Sequence, residues 1–175
     1  MFKVILTLLV LFVCSAYSYA AKYLLPNEER VYSFTTTNGK KLILAEDAGR
    51  TYLAYRFGTK DKVELEYYAR VTDSPKKMFY YTFFRSVRED IYGVEESYIA
   101  FFVGNIKYVV YDNKYEGTGD EKEANNRSLG ITVTDTLTKK KTTIKANLNT
   151  IKGSIGSFWD DPRFSYKDGL WDGDE

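Results

Sequence analysis

The chain has no histidine and one cysteine, Cys14, among its 175 residues. Histidine is the usual general base near neutral pH, the commonest metal ligand and the middle member of a serine triad, so those chemistries are removed. A lone cysteine leaves no disulfide and no thiolate metal cluster, and zinc, haem and most hydrolase designs go with them. There is no G-x-x-x-x-G-K-[ST], and no G-x-G-x-x-G stands between a strand and a helix, so the common phosphate cradles are absent. No cofactor and no metal are expected. Three prolines leave little room for a linker.

An excess of one charge is missing as well. Lys and Arg total 25 against 24 Asp and Glu, which removes the electrostatic footprint of a nucleic-acid binder. Lys139-Lys140-Lys141 is a local basic cluster, and its place between two strands reads as the solvated tip of a hairpin. Long apolar runs are confined to Val4 to Val13, too short for the roughly twenty residues that span a bilayer as a helix. Preceded by Lys3 and followed by Ser18-Tyr19-Ala20, that run has the form of a signal peptide cleaved near Ala20. Lipidation at Cys14 is the alternative; Val13 stands where such sites want Gly or Ala, and a better cleavage site follows. Loss of the leader removes Lys3 and leaves 24 bases against 24 acids. A mature chain without cysteine suits a bacterial periplasm better than a eukaryotic secretory route. The expected division is a signal peptide over 1–20, a β domain over 21–158 and an acidic aromatic segment over 159–175, in a periplasmic or secreted protein.

What is abundant is aromatic: 16 Tyr and 11 Phe. They fall in period-two alternation broken by turn chemistry, with hardly any helix-period pattern. Val31 to Thr36 and Lys41 to Ala45 flank Asn38-Gly39, and Tyr98 to Val103 and Ile106 to Tyr111 flank Gly104-Asn105, both strong tight-hairpin signals. Thr51 to Phe57 pairs with Val63 to Tyr68, where Val63, Leu65 and Tyr67 are expected on one face and Glu64 and Glu66 on the other. Met78 to Phe84 is aromatic on both faces, either a central strand or one lining a binding surface. Gly130 to Thr134 and Thr142 to Lys145 form a last hairpin. The fold class is all-β, a single antiparallel β-sandwich or barrel of about eight to nine strands. At most a short helical turn is expected near Asn147 to Lys152.

Asn113 to Ser128 is polar and long for a loop in a compact domain. Within it Asp112, Lys114, Glu116, Gly117, Asp120 and Glu123 fall at EF-hand positions, but Lys114 would set a cation beside the metal and the preceding segment is a strand, so a solvated acidic loop is favoured. Asn126-Arg127-Ser128 is a glycosylation sequon that matters only in a eukaryotic pathway. Carboxylate pairs such as Glu64 with Glu66, roughly 7 Å apart on one strand face, leave a glycoside hydrolase as a minor alternative. The segment from Trp159 holds both tryptophans and six acids. It suits a basic partner, or else folds back so that Trp159 and Phe164 cover an open end of the domain.

Tyr55-Arg56-Phe57-Gly58 with Val63-Glu64-Leu65-Glu66-Tyr67, Tyr108-Val109-Val110-Tyr111-Asp112 and Gly130-Ile131-Thr132-Val133-Thr134-Asp135 resemble strand and turn motifs of small uncharacterised periplasmic β-rich proteins of Gram-negative bacteria. The resemblance spans about residues 50 to 155 and implies a compartment and a β fold, without catalytic residues. The expected function is therefore an exported, non-catalytic binding protein, an inhibitor or immunity protein blocking a periplasmic hydrolase or toxin. A carbohydrate-binding or envelope-associated module is the alternative. Residues expected to meet the partner are Glu116, Asp120, Glu121 and Glu123 in the loop, and Trp159, Asp160, Asp161, Trp171 and Asp172 in the C-terminal segment.

Overall fold

The computed structural model describes residues 23–73, 79–87, 92–117, 126–156, 158, 161–167 and 170. The expected signal peptide and Cys14 lie outside them, and no helix among the described residues is long and apolar enough to cross a membrane. Among the described residues eleven strands run in chain order as β1 (Glu28–Thr35), β2 (Lys41–Asp47), β3 (Tyr52–Thr59), β4 (Lys62–Arg70), β5 (Phe79–Val87), β6 (Tyr92–Val103), β7 (Ile106–Gly117), β8 (Asn126–Asp135), β9 (Lys141–Lys145), β10 (Lys152–Gly153) and β11 (Phe164–Tyr166). They form a five-stranded sheet ordered β10-β1-β2-β3-β4 and a six-stranded sheet ordered β11-β5-β6-β7-β8-β9. This is a sandwich and not a closed barrel. The strands beyond the expected eight or nine are the short β10 and β11. The pairing of β11 with β5 is parallel, in a molecule otherwise antiparallel.

Local chemistry sets the turns. Gly39 (φ +82°) and Gly104 (φ +58°) take left-handed backbone in the β1–β2 and β6–β7 turns, where a side chain would be strained. In the β8–β9 turn, Asp135 Oδ1 accepts from the Leu137 and Thr138 amides at 2.9 and 3.1 Å. At Gly58 the β3–β4 register slips, and the backbones come so close there that an added Cβ would stand 2.1 Å from the Lys62 carbonyl. The slip changes the expected facing of β4. Leu65 and Tyr67 pack on the main core, whereas Val63 lies with Tyr23, Ile43 and Ala45 on the opposite face.

The core is aromatic across the sheet interface. Tyr67 stacks on Phe101 with centroids 4.4 Å apart, Tyr55 approaches the same ring at 4.7 Å, and Phe101 stacks on Tyr108 at 5.0 Å. Each such pair adds about 0.5–1.5 kcal/mol beyond its burial. After β9 the chain crosses between the sheets through an Ala146–Thr36 bridge. A single 3-10 turn follows over Leu148–Thr150, capped by the Asn147 side chain, where a helical turn was expected. β10 then pairs with β1, and Ile155, Phe158 and Phe164 enter the core.

Candidate functional site: the outer face of the six-stranded sheet

β6 and β7, twelve residues each, pair along their whole length. β8 continues the sheet as far as Tyr115 opposite Asn126. Much of the expected Asn113 to Ser128 loop is thus strand: 113–117 completes β7 and 126–128 opens β8. Residues 118–125 lie outside the described residues.

The inner face of this end is ionic. Arg127 Nε and Nη2 donate to the two Asp112 carboxylate oxygens at 2.7 and 2.6 Å, and the Tyr32 hydroxyl of β1 donates to Asp112 at 2.9 Å. Lys114 donates to Glu95 at 2.8 Å. The Asp112 bonds push the Arg127 pKa up; burial, reinforced by Asp112, raises the Tyr32 hydroxyl far above its ordinary value. Of the EF-hand positions noted in the sequence, Asp112, Lys114 and Glu116 are on an extended strand and Asp112 holds Arg127, while Asp120 and Glu123 lie outside the described residues.

On the outer face, register aligns Phe84, Glu96, Asn113 and Ser128 in one row, with Tyr115 and Asn126 in the next. Phe84 is 49% and Tyr115 36% exposed. The Tyr115 hydroxyl donates to Glu96 Oε1 at 2.7 Å, and Asn113 Nδ2 donates to the Tyr98 hydroxyl at 2.8 Å. The bond to Glu96, with some burial, pushes the Tyr115 hydroxyl up to about 12. Asn113 Oδ1 is buried and has no hydrogen-bond partner among the described residues.

Part of this face is already covered. Lys167 is held to β5 through its amide, donated to the Tyr81 carbonyl at 3.0 Å, and through its carbonyl, which accepts from the Thr82 hydroxyl. Leu170 then lies buried against Tyr98, Ala100 and Val109, with Tyr80 and Tyr111 at the margin. The chain therefore folds back on the domain, with Phe164 in the core as one expectation had it, and Trp159 outside the described residues.

Two further charged centres are internal. Arg163, fully buried, donates to both Asp161 oxygens, to Glu46 Oε2 at 2.6 Å and to the Tyr52 carbonyl at 2.9 Å. Burial works to raise the Asp161 carboxyl, but the Arg163 bonds outweigh it and hold the carboxyl below its ordinary range. On the outer face of the five-stranded sheet, Arg56 donates to both Glu28 oxygens at 2.6 and 2.8 Å, to Glu66 and Tyr68, and to the Tyr23 carbonyl at 3.1 Å. The segment from Tyr23 to Asn27 leads directly into Glu28, and its Leu25 amide donates to Glu28 at 2.8 Å.

Of the residues expected to meet a partner, Asp161 is committed to Arg163 and to Arg50 at 2.9 Å. Glu116 is on β7 opposite Gly93. Asp120, Glu121, Glu123, Trp159, Asp160, Trp171 and Asp172 lie outside the described residues. Glu64 and Glu66 are paired to Lys40 and Arg56. Pattern reading offered Phe84 within a strand that could line a binding surface, and Asn113 and Tyr115 within a loop, but it missed Glu96 and the sheet face that brings them together. Their signal was the double-faced aromatic run of β5 and the alternation continuing past Tyr111. Comparison with family models, with curated proteins and with solved structures finds no match.

Proposed function

We propose that the chain is an exported, non-catalytic binding protein that recognises another protein through the β6–β7–β8 end of the six-stranded sheet. An inhibitor or immunity protein acting on a periplasmic hydrolase or toxin is the concrete form. The observation that carries the reading is the pair of open rings, Phe84 and Tyr115, on the outer face beside Glu96. Exposed aromatics on a rigid ladder make low-entropy anchors, and nearby carboxylates steer a basic target into register.

Two further observations support it. The carboxylates that approach one another are matched to cations, Glu28 and Glu66 to Arg56, Glu46 and Asp161 to Arg163, Glu95 to Lys114 and Asp112 to Arg127. A glycosidase acid instead needs a raised pKa, whereas Glu28 and Asp161 move downward, their arginine bonds outweighing burial. Several tyrosines are also covered and not displayed: Tyr32, Tyr55 and Tyr81 are in the core, and Tyr23 and Tyr98 are buried on the outer faces. That disfavours a flat outward row of rings for stacking sugars.

The test is a pull-down from a periplasmic extract and a panel of lysozymes and toxins, with wild type and with Phe84→Ala/Tyr115→Ala. A one-to-one complex that weakens with salt, and at least tenfold in the double variant, is expected. Retention on peptidoglycan or glycan resin with no protein partner refutes this reading in favour of a carbohydrate module.

A further inference from the structure

The opposite end of the same sheet has a different character. The β6–β7 turn (Val103 to Ile106) and the β8–β9 turn (Asp135 to Lys141) lie side by side. They are joined by the Thr136 amide and hydroxyl, which donate to the Asn105 carbonyl at 2.8 and 2.9 Å. Each turn lifts an aliphatic side chain into solvent, Val103 at 42% and Leu137 at 73% exposure. Around them stand Lys139, Lys140 and Lys141, all exposed, with Lys107 in the outer-face row that runs through Thr134 to Lys141.

Acids are almost missing here. Residues 98–111 contain none and 129–158 contain only Asp135, whose Oδ1 accepts the Leu137 and Thr138 amides. That carboxylate thus fixes the turn that presents Leu137, and with Lys139 in left-handed backbone (φ +62°) the tip is preorganised. Lysines on β9 also guard a sheet edge against pairing with another chain. Edge protection explains Lys141 and Lys145. It does not explain two lysines within the turn, or an exposed leucine at its tip.

We propose that this turn end is a docking surface for an anionic lipid bilayer, with Leu137 and Val103 entering the headgroup boundary and the lysines neutralising acidic headgroups around them. Apolar tips inside a cationic belt match an interface that is hydrophobic below and anionic above. A protein partner is characteristically held by aromatic and arginine anchors, and these turns present aliphatic tips and lysines instead. Nucleic acid would use rings to stack bases, and these turns present aliphatic groups instead. The acidic segments 118–125 and 159–175 belong to other parts of the chain, so the surface does not depend on the protein-binding reading above.

The test is co-sedimentation of the purified protein with vesicles of phosphatidylcholine alone and of phosphatidylcholine with phosphatidylglycerol in equal parts. Binding to the second only, falling as salt is raised, is expected. Leu137→Ser, with circular dichroism unchanged, is expected to lower the partition coefficient about fivefold at constant charge, one side chain's apolar insertion being removed. Lys139→Gln/Lys140→Gln/Lys141→Gln is expected to lower it more than tenfold. Equal binding to both vesicle types, or none to either, overturns the proposal. So does binding indifferent to Leu137→Ser, and so does equally strong retention of wild type and Leu137→Ser on single-stranded DNA, which would mark plain polyanion adsorption.

Discussion

Replacing Arg56 with methionine tests whether the ionic centre on the five-stranded sheet governs stability. Methionine keeps the length and apolar stem but removes every donor, leaving the fully buried Glu28 side chain without its countercharge and the Tyr23 carbonyl without its bond. Breaking a buried pair from one side costs about 3–5 kcal/mol. The Leu25 amide and the Tyr52 hydroxyl still reach Glu28 at 2.8 Å each, which places the loss near the lower figure. With a urea m-value of about 2 kcal/mol/M, the midpoint should fall by about 1.5 M. The pH dependence follows from Glu28. Burial opposes ionisation, yet the Arg56 bonds hold its carboxyl low in the folded protein. Its stabilising contribution is therefore present above its unfolded value of about 4.3 and is lost as pH falls through the lower folded value. In the variant the unpaired carboxyl titrates upward, so the deficit against wild type should shrink between about pH 7 and about pH 4.5. Glu28→Gln/Arg56→Met should recover most of the loss. Urea unfolding followed by tryptophan fluorescence at both pH values is the assay. An Arg56→Met deficit that is absent, or the same at both pH values, or a double variant as poor as the sum of the singles, would refute the reasoning.

Gly153→Ala should destabilise by more than about 1 kcal/mol in thermal melts, since its φ is +81° and the new Cβ would meet the Val31 carbonyl at 1.9 Å. Gly39→Ala, at a similar φ of +82° but in open space, should cost about 1 kcal/mol from backbone strain alone. Leu170→Ala should cost about 2 kcal/mol and speed amide exchange at Lys167, whose hold on β5 lies three residues away. In a spectrophotometric titration, Tyr32 and Tyr55, both raised by burial, should stay un-ionised until alkaline unfolding. Their contribution is complete below about pH 10 and declines above it, as for any group with a raised folded pKa.

Turn chemistry made much of this fold legible. Asn38-Gly39 and Gly104-Asn105 announce their hairpins because the backbone there needs residues that accept positive φ, and the core strands follow from alternation. The outer half of the β6–β7 ribbon was hidden. Asn113 and Lys114 read as loop residues, and Glu95 and Glu96 fell in no expected element; they tolerate a strand because each finds a cross-strand partner, Asn113 on Tyr98, Lys114 on Glu95 and Tyr115 on Glu96. Arg56 and Arg163 were hidden for a related reason. Period-two patterning assigns a charge to water, and only the fold shows Glu28 or Asp161 waiting in the interior. The register slip at Gly58 reversed Val63, since a bulge shifts the phase of every side chain beyond it. The acidic residues expected to bind lay partly in segments outside the described structure, while Asp161 proved to serve the interior.

The position of Arg163 also bears on how the chain is made. Glu46 on β2 has Arg50 beside it at 3.6 Å, yet its closer guanidinium, at 2.6 Å, arrives 117 residues later. The early hairpins can form as soon as they leave the ribosome, but the acid they carry gains this closer partner only when that arginine appears. β5 likewise has to wait for β11, which then pairs with it in parallel, a long-range closure of the slow kind. The segment from Asp161 to Lys167 therefore ties Glu46 and Tyr52 of one sheet to β5 of the other only after all of those strands have been made.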